Sequence, residues 1–473
     1  MKKLVYWAAA ATLAGCVWAA EPPKKTLPRA QPRNALVATT PPMGWNSYDA
    51  YDCTINEAQF KANVDVLAKE LKEYGWQYAV IDFLWYNPAL GSAEDLANRK
   101  GNPDLRVDAQ GRPLDKLDMD QYGRLLPSVN RFPSAAKGAG FKPIADYVHG
   151  KGLKFGIHIM RGIPRQAYFQ NLAVLGTKYT AKDAANPRDT CPWLNYMYGV
   201  DPTKAAGQAY YDSLLKLYAG WGVDFIKVDD ISAAVYRAGE IEMIRKAIDS
   251  CGRPIVLSLS PGETPLGRAR HVARYANMWR LSDDFWDNWK SLAHNFDLLN
   301  AWSGWRAPGA WPDGDMLPIG HISLHGHPVG PDRLSEFTWP EHYTLMTLWS
   351  MARSPLMIGA DLVSSPEQSL AFLKNKEVLA VDQHSENNRQ ARKGEHDAVW
   401  IADLPGGADK YLALFNLTNE KRKVAFHFED EMPRGKFALR DLWAHREVGV
   451  FEDDFEAELD PHGAGLYRLT RQR

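Results

Sequence analysis

Cysteine is scarce in this chain: 473 residues carry four, Cys16, Cys53, Cys191 and Cys251, widely spaced and with no CxxC pair. A disulfide framework is therefore not indicated, and the three cysteines beyond the N-terminal segment leave one bridge or free buried thiols as alternatives. Excess charge of either sign is also missing, with 56 Lys and Arg against 57 Asp and Glu and a net charge of −1. Without a basic field to gather phosphates, nucleic acid is not expected as a partner. Long apolar runs are absent after the first residues, and no repeat of fixed period is visible. Aromatics are plentiful by contrast, 11% of the chain with 17 Trp, which suits either a packed core or the stacking of sugar faces.

The N-terminus, Met1-Lys2-Lys3 followed by the apolar run Leu4 to Leu13, has the form of a signal peptide, so the mature chain is expected to be exported. Leu13-Ala14-Gly15-Cys16 resembles a bacterial lipobox, which would leave Cys16 lipidated and tether the protein to a membrane in the periplasm or at the cell surface. Ordinary cleavage near Val17-Trp18-Ala19-Ala20 is the alternative. The expected organisation is residues 1–20 as signal peptide, 21–40 as flexible Pro- and Lys-rich linker, 41–380 as catalytic domain and 381–473 as a second domain.

From Pro42 onward, short apolar runs alternate with helical patterns such as Asn56 to Tyr74 and Ala206 to Ala219. That alternation predicts βα units around a parallel sheet, and eight of them close a (β/α)8 barrel. Strands are expected at Met43 to Trp45, Tyr78 to Phe83, Lys154 to His158, Phe225 to Val228, Pro254 to Leu259, Met278 to Leu281, near Trp311, and at Pro355 to Ile358. Polar residues close them: Asn46, Asp82, His158, Asp229, Ser260, Asp284 and Asp315. Strand C-termini form the active-site face of such a barrel, so these residues are where chemistry is expected. Beyond Asp382 the texture becomes short alternating runs punctuated by Gly and Pro, predicting an antiparallel β-sandwich.

Two strand ends carry paired acids. Lys227 interrupts the apolar run before Asp229-Asp230, and a buried ammonium needs a carboxylate partner. Either the pair only holds the barrel together, or Lys227 keeps a carboxylate ionised for attack on an anomeric carbon. Asp283-Asp284 follow Trp279-Arg280, where crowding of like charges favours a protonated general acid, while one of the two is expected merely to cap the next helix. A retaining glycosidase needs two carboxyls roughly 5–5.5 Å apart across the scissile bond, and strands four and six can supply them. A third loop, Trp311 to Leu317, adds Asp315. His321, His325 and His327 lack matching acids, and no metal or other cofactor is expected.

These pieces, in this order, resemble glycoside hydrolase family 27, the α-galactosidases and α-N-acetylgalactosaminidases. The matching residues are Pro42-Met43-Gly44-Trp45-Asn46-Ser47, Gly152-Leu153-Lys154-Phe155-Gly156-Ile157, Lys227-Val228-Asp229, Trp279-Arg280, Asp284, Asp315-Met316-Leu317 and Ser354-Pro355-Leu356. The resemblance implies double displacement without a cofactor, with Asp229 as nucleophile and Asp284 as general acid/base. It also implies Trp45 as sugar platform, Asp82 and Lys227 as hydroxyl ligands, and Arg280 and Asp315 as supporting residues, with His158 joining them at the substrate. Departures are local. Phe83 stands where the family carries the second of two hydroxyl-binding carboxylates, His158 replaces a Tyr, Ser260-Pro261-Gly262 replaces the loop facing the 2-substituent, and Ile231 replaces the disulfide partner expected for Cys191.

The first expectation is thus an exo-acting α-galactosidase working on an oligosaccharide or polysaccharide. Phe83 motivates an alternative with the same mechanism on β-L-arabinopyranosides or an α-glucan. A non-catalytic sugar-binding lipoprotein is a third, against which the retained acids argue. The long segments Tyr86 to Val148 and Gly162 to Tyr198 are expected to wall substrate subsites.

Overall fold

A computed structural model of the chain describes residues 37–90, 107–233, 235–325 and 330–472. The expected signal segment, Cys16, most of the linker and His327 lie outside the described residues. No described helix is long and apolar enough to cross a membrane.

Eight strands run in parallel and in chain order around one sheet: β1 (Met43–Asn46), β2 (Tyr78–Ile81), β3 (Lys154–Met160), β4 (Phe225–Asp229), β5 (Val256–Leu259), β6 (Met278–Arg280), β7 (Trp311–Asp313) and β8 (Leu356–Ile358). β8 pairs with β1, and the ring closes just past β7, where Leu317 N–H donates to Met357 O at 2.7 Å and Gly359 N–H to Leu317 O at 3.0 Å. The predicted (β/α)8 barrel is therefore the fold, and every predicted barrel strand is present.

The period-two alternation of strands sorts its side chains. Tyr78, Val80, Phe225, Val256, Met278, Trp311 and Met357 pack together inside the barrel, whereas Ala79, Ile81, Ile226, Val228, Leu257 and Trp279 join the core under the helices. Followed upward by steps of two, each inward set turns from apolar to polar: Phe225, Lys227, Asp229 on β4; Met278 and Arg280 on β6; Trp311, Asp313, Asp315 from β7; Tyr78, Val80, Asp82 from β2. The apolar layers fill the barrel, and the polar top layer is the active-site face.

Helices follow the strands as expected. α1 (Glu57–Val66) opens on a reciprocal cap between Asn56 and Gln59, and α2 (Ala205–Trp221) ends at Gly222, whose φ of 93° suits glycine. α3 (Ala238–Ser250) and α4 (Trp289–Trp302) come later, and α5 (Trp339–Ala352) lies between the barrel and the last domain. The segment Gly162 to Tyr198 is no open loop. It satisfies its own backbone through a small antiparallel sheet of Ile163–Pro164, Ala185–Thr190 and Met197–Val200.

From Glu386 on, antiparallel strands form a six-stranded sheet facing a two-stranded one across Val399, Ile401, Leu412, Leu414, Phe426 and Phe455. Three of these strands, Glu386–Lys393, Arg446–Phe451 and Asp454–Leu459, are too charged to stand out in the sequence, though Asp454–Leu459 keeps a strict exposed–buried alternation. The domain docks on α5, where Trp443 Nε1 donates to Thr347 Oγ1 at 2.9 Å, and His462 stacks on Trp289 with ring centroids 3.7 Å apart.

Candidate active site

Asp229 closes β4, and its Oδ2 lies 2.9 Å from His158 Nε2 on β3. Burial would raise the Asp229 carboxyl, but His158 and then Lys227 outweigh it and hold the group well below the usual carboxylate range. Its Oδ1 accepts no hydrogen bond. A carboxylate so held favours its ionised form, with Oδ2 committed to His158. Two residues below, Lys227 Nζ donates to Asp82 Oδ2 at 3.1 Å, and Asn46 Nδ2 reaches the same oxygen at 2.6 Å. Burial pulls the Lys227 ammonium down, and Asp82 followed by Asp229 more than reverses this, keeping it charged. Lys227 is thus a buried ion-pair partner of Asp82 and a counter-charge to Asp229.

Across the barrel mouth, Asp284 leaves β6 with half its side chain exposed, and Arg280 Nη2 stands 3.1 Å from its Oδ1 and 2.6 Å from Asp315 Oδ2. Asp315 is itself fixed by Phe285 N–H and Met316 N–H, each at 2.7 Å. Asp284 is thereby the accessible acid and Asp315 the enclosed one. Neither Asp283 nor Asp284 caps the following helix, contrary to expectation. Asn288 does so, accepting from Ser291 N–H at 3.0 Å.

One expected substrate contact needs correcting. Trp45 is fully buried, donates its Nε1 to Ala360 O at 2.8 Å and packs on Phe60 under the helices, so it cannot form a sugar platform. The reason is parity: on β1 the inward positions are Gly44 and Asn46, and Trp45 points outward with Met43. Three residues on, Tyr48 lies at the site instead, its ring 5.4 Å from Lys227 Nζ and 6.2 Å from the ring of Phe83. His158 is wholly enclosed, with its Nε2 at Asp229 and its Nδ1 without a partner, so it meets the expected nucleophile directly.

Phe83 does face this centre, with its ring edge-on to His158 at 5.3 Å and 5.9 Å from Trp193 of the inserted segment. The pocket wall beside the expected nucleophile is thus aromatic where a carboxylate would offer an acceptor. Sequence reasoning also missed Asp49. It is buried, its Oδ2 has no partner, and it abuts Gly359, where an added Cβ would lie 1.8 Å from that oxygen. Burial first, then Asp315 and Asp284, raise its carboxyl well above the usual range against the pull of Lys227 and Arg280. Its signal in sequence was its position, an acid three residues past the end of β1.

Cys53, Cys191 and Cys251 are unbridged, and burial, with Asp230 adding, pushes the Cys191 thiol up to about 12. No group of three or more metal-ligating side chains occurs among the described residues. His321 is hydrogen-bonded to Ser364 and Asp332, and His325 to Thr54.

Comparison with known proteins agrees with this geometry. Family models described as "Alpha galactosidase A" and "Alpha galactosidase C-terminal beta sandwich domain" match residues 202–384 and 395–469. Among solved structures, a GH27 β-L-arabinopyranosidase from Geobacillus stearothermophilus is 46% identical with a TM-score of 0.87, over 92% of this chain and 98% of that one. Curated relatives include an α-galactosidase of Oryza sativa subsp. japonica, 29% identical over 91% of this chain and 85% of its own length. An α-N-acetylgalactosaminidase of Gallus gallus is 25% identical over 92% and 94%.

Proposed function

The chain belongs to glycoside hydrolase family 27, and from that premise we propose that this glycoside hydrolase is a retaining exo-glycosidase that prefers β-L-arabinopyranosides to α-galactosides. The two sugars share their ring configuration and differ by the hydroxymethyl group at C5. The observation that carries the preference is Phe83, an aromatic edge set against His158 where the family places a hydroxyl-binding carboxylate. A hydroxymethyl group meeting that edge would be desolvated without a partner, at a cost of ~1–3 kcal/mol. A hydrogen at the same position has nothing to lose. The 46% identical Geobacillus enzyme, described as a β-L-arabinopyranosidase, supports the same reading.

In this mechanism Asp229 Oδ1 attacks the anomeric carbon while Asp284 gives its proton to the leaving oxygen, and Asp284 then takes a proton from the water that releases the sugar. Lys227 and His158 keep the nucleophile charged. Arg280, pinned by Asp315, steadies Asp284 through both proton transfers. Tyr48 offers the ring against which the sugar packs. The test is the ratio of kcat/KM on p-nitrophenyl β-L-arabinopyranoside to that on p-nitrophenyl α-galactoside, expected above one. A ratio well below one would return the assignment to α-galactosidase, the activity named for the curated plant relatives. Export and a lipid anchor on Cys16 belong to the same proposal, and a Cys16→Ser chain is expected to leave the membrane fraction.

A further inference from the structure

Directly behind the nucleophile lies a cluster of charges that the reaction described so far does not use. Arg161, at the end of β3, is 2% exposed and meets three carboxylates: Nη2 stands 2.9 Å from Asp189 Oδ1 and 2.8 Å from Asp230 Oδ2, and Nη1 2.8 Å from Glu240 Oε1. The same residue grips the backbone of the nucleophile turn, since its N–H donates to Asp229 O at 3.1 Å and its Nε to Asp230 O at 2.5 Å. Asp230 holds a left-handed φ of 59°, an uncommon conformation for a residue that is not glycine, so the turn depends on such partners. Glu240 on α3 is fixed in turn by Tyr211 Oη at 2.5 Å.

We propose that Arg161 is a positioning residue that ties the Asp229–Asp230 turn and the inserted pocket wall to one buried anchor. The second half of that statement comes through Asp189. It belongs to the inserted strand Ala185–Thr190, is also held by Arg237 Nη2 at 2.7 Å, and lies four residues before Trp193, the insert's contact with Phe83. Gly199 permits the approach, because a Cβ there would fall 2.5 Å from Asp189 Oδ2 and 2.7 Å from Arg161 Nη1. Only a planar fork with several donors satisfies three carboxylates and the Asp230 carbonyl together, so lysine, which would keep only the backbone N–H to Asp229 O, is no substitute. Misplacing a reacting group by about 1 Å costs roughly 10²-fold in rate.

This inference rests on Asp229 being the nucleophile, and its test separates the two. With whichever aryl glycoside the wild-type protein cleaves, Arg161→Lys is expected to lower kcat per folded molecule about 10²-fold with KM held within about threefold. A kcat within about threefold of wild type overturns the proposal. Should Arg161→Lys fail to fold, the isosteric Asp230→Asn keeps both backbone contacts and removes one ion pair. The Asp230 carboxyl faces Arg161, Arg237, Asp229 and Cys191, and burial with Asp229, opposed by the two arginines, pushes it up to about 6. Its variant is expected to lose about tenfold in kcat and to flatten the acid limb of kcat/KM near that pH, and an unchanged rate and profile overturn the proposal. If the wild-type protein cleaves no glycoside, the functional reading fails on its own. The anchor is then read from chymotryptic nicking at Trp193, expected to be at least tenfold faster in Arg161→Lys or, if that variant does not fold, in Asp230→Asn; equal nicking rates overturn it.

Discussion

Replacing Phe83 by Asp is the most direct probe of specificity. The ring is 8% exposed and touches Tyr48, His158 and Trp193, so its removal costs stability, on the order of 3 kcal/mol for a large buried aromatic. That loss affects both sugars equally and cancels in a ratio of kcat/KM values measured on the same preparation. What does not cancel is the hydroxymethyl group. In the wild type it meets an aromatic edge; in Phe83→Asp it meets a carboxylate, and a hydrogen bond to a charged group contributes ~1.5–3 kcal/mol. At about 1.4 kcal/mol per decade, the galactoside-to-arabinopyranoside ratio rises roughly 10- to 150-fold. The arabinopyranoside gains nothing, since it brings no donor to the new carboxylate. Parallel initial-rate assays with the two p-nitrophenyl glycosides measure the ratio. A change below about threefold would mean that Phe83 does not face the C5 substituent, and the argument from it would fall.

Asp229→Asn is expected to remove turnover by roughly 10⁴-fold or more while leaving the fold intact, and Asp284→Ala is expected to regain rate with azide and yield a glycosyl azide of the substrate's own anomeric configuration; an azide product of inverted configuration would refute the retaining assignment. Trp45→Phe is expected to lower the melting temperature with KM unchanged, and Tyr48→Ala to raise KM about tenfold with the melting temperature nearly kept, a pair of outcomes that steady-state kinetics and thermal melts separate. His342, buried against Phe337, Trp339 and Phe372 with neither ring nitrogen bonded, has its imidazole pushed down to about 4 by burial. Because the unfolded chain binds that proton more readily, its contribution is present above pH 6.5 and is lost as pH falls toward 4, ~2 kcal/mol of it between pH 7 and pH 5. His342→Phe is expected to flatten that part of the acid-side decline in denaturant-measured stability.

The barrel was legible in the sequence because its strands alternate apolar runs with polar ends, and those ends gather at one mouth of the barrel. Asp229, Lys227 and Asp82 stand together there, with Asp284 across the mouth, as the strand ends predict. What the pattern did not convey was which side of β1 faces in. A strand of four buried residues, Met43 to Asn46, shows no polar face, so nothing in it opposes the sugar platform that the family resemblance implies for Trp45, and only its pairing places Gly44 and Asn46 inward. The contact of His158 with Asp229 was hidden for a related reason: its position at the active-site end of β3 was plain, but only three-dimensional register, His158 opposite Lys227, brings it to Asp229. Arg161 and Glu240 are 79 residues apart, and neither neighbourhood is unusual alone. Their pairing depends on where the inserted sheet and α3 land, which no local pattern carries. The parts of the site that one strand determines were therefore readable, and the parts that two or more elements determine were not. Phe83 lies between these cases. Its identity could be read against the family pattern, but its significance required seeing that the ring turns toward His158.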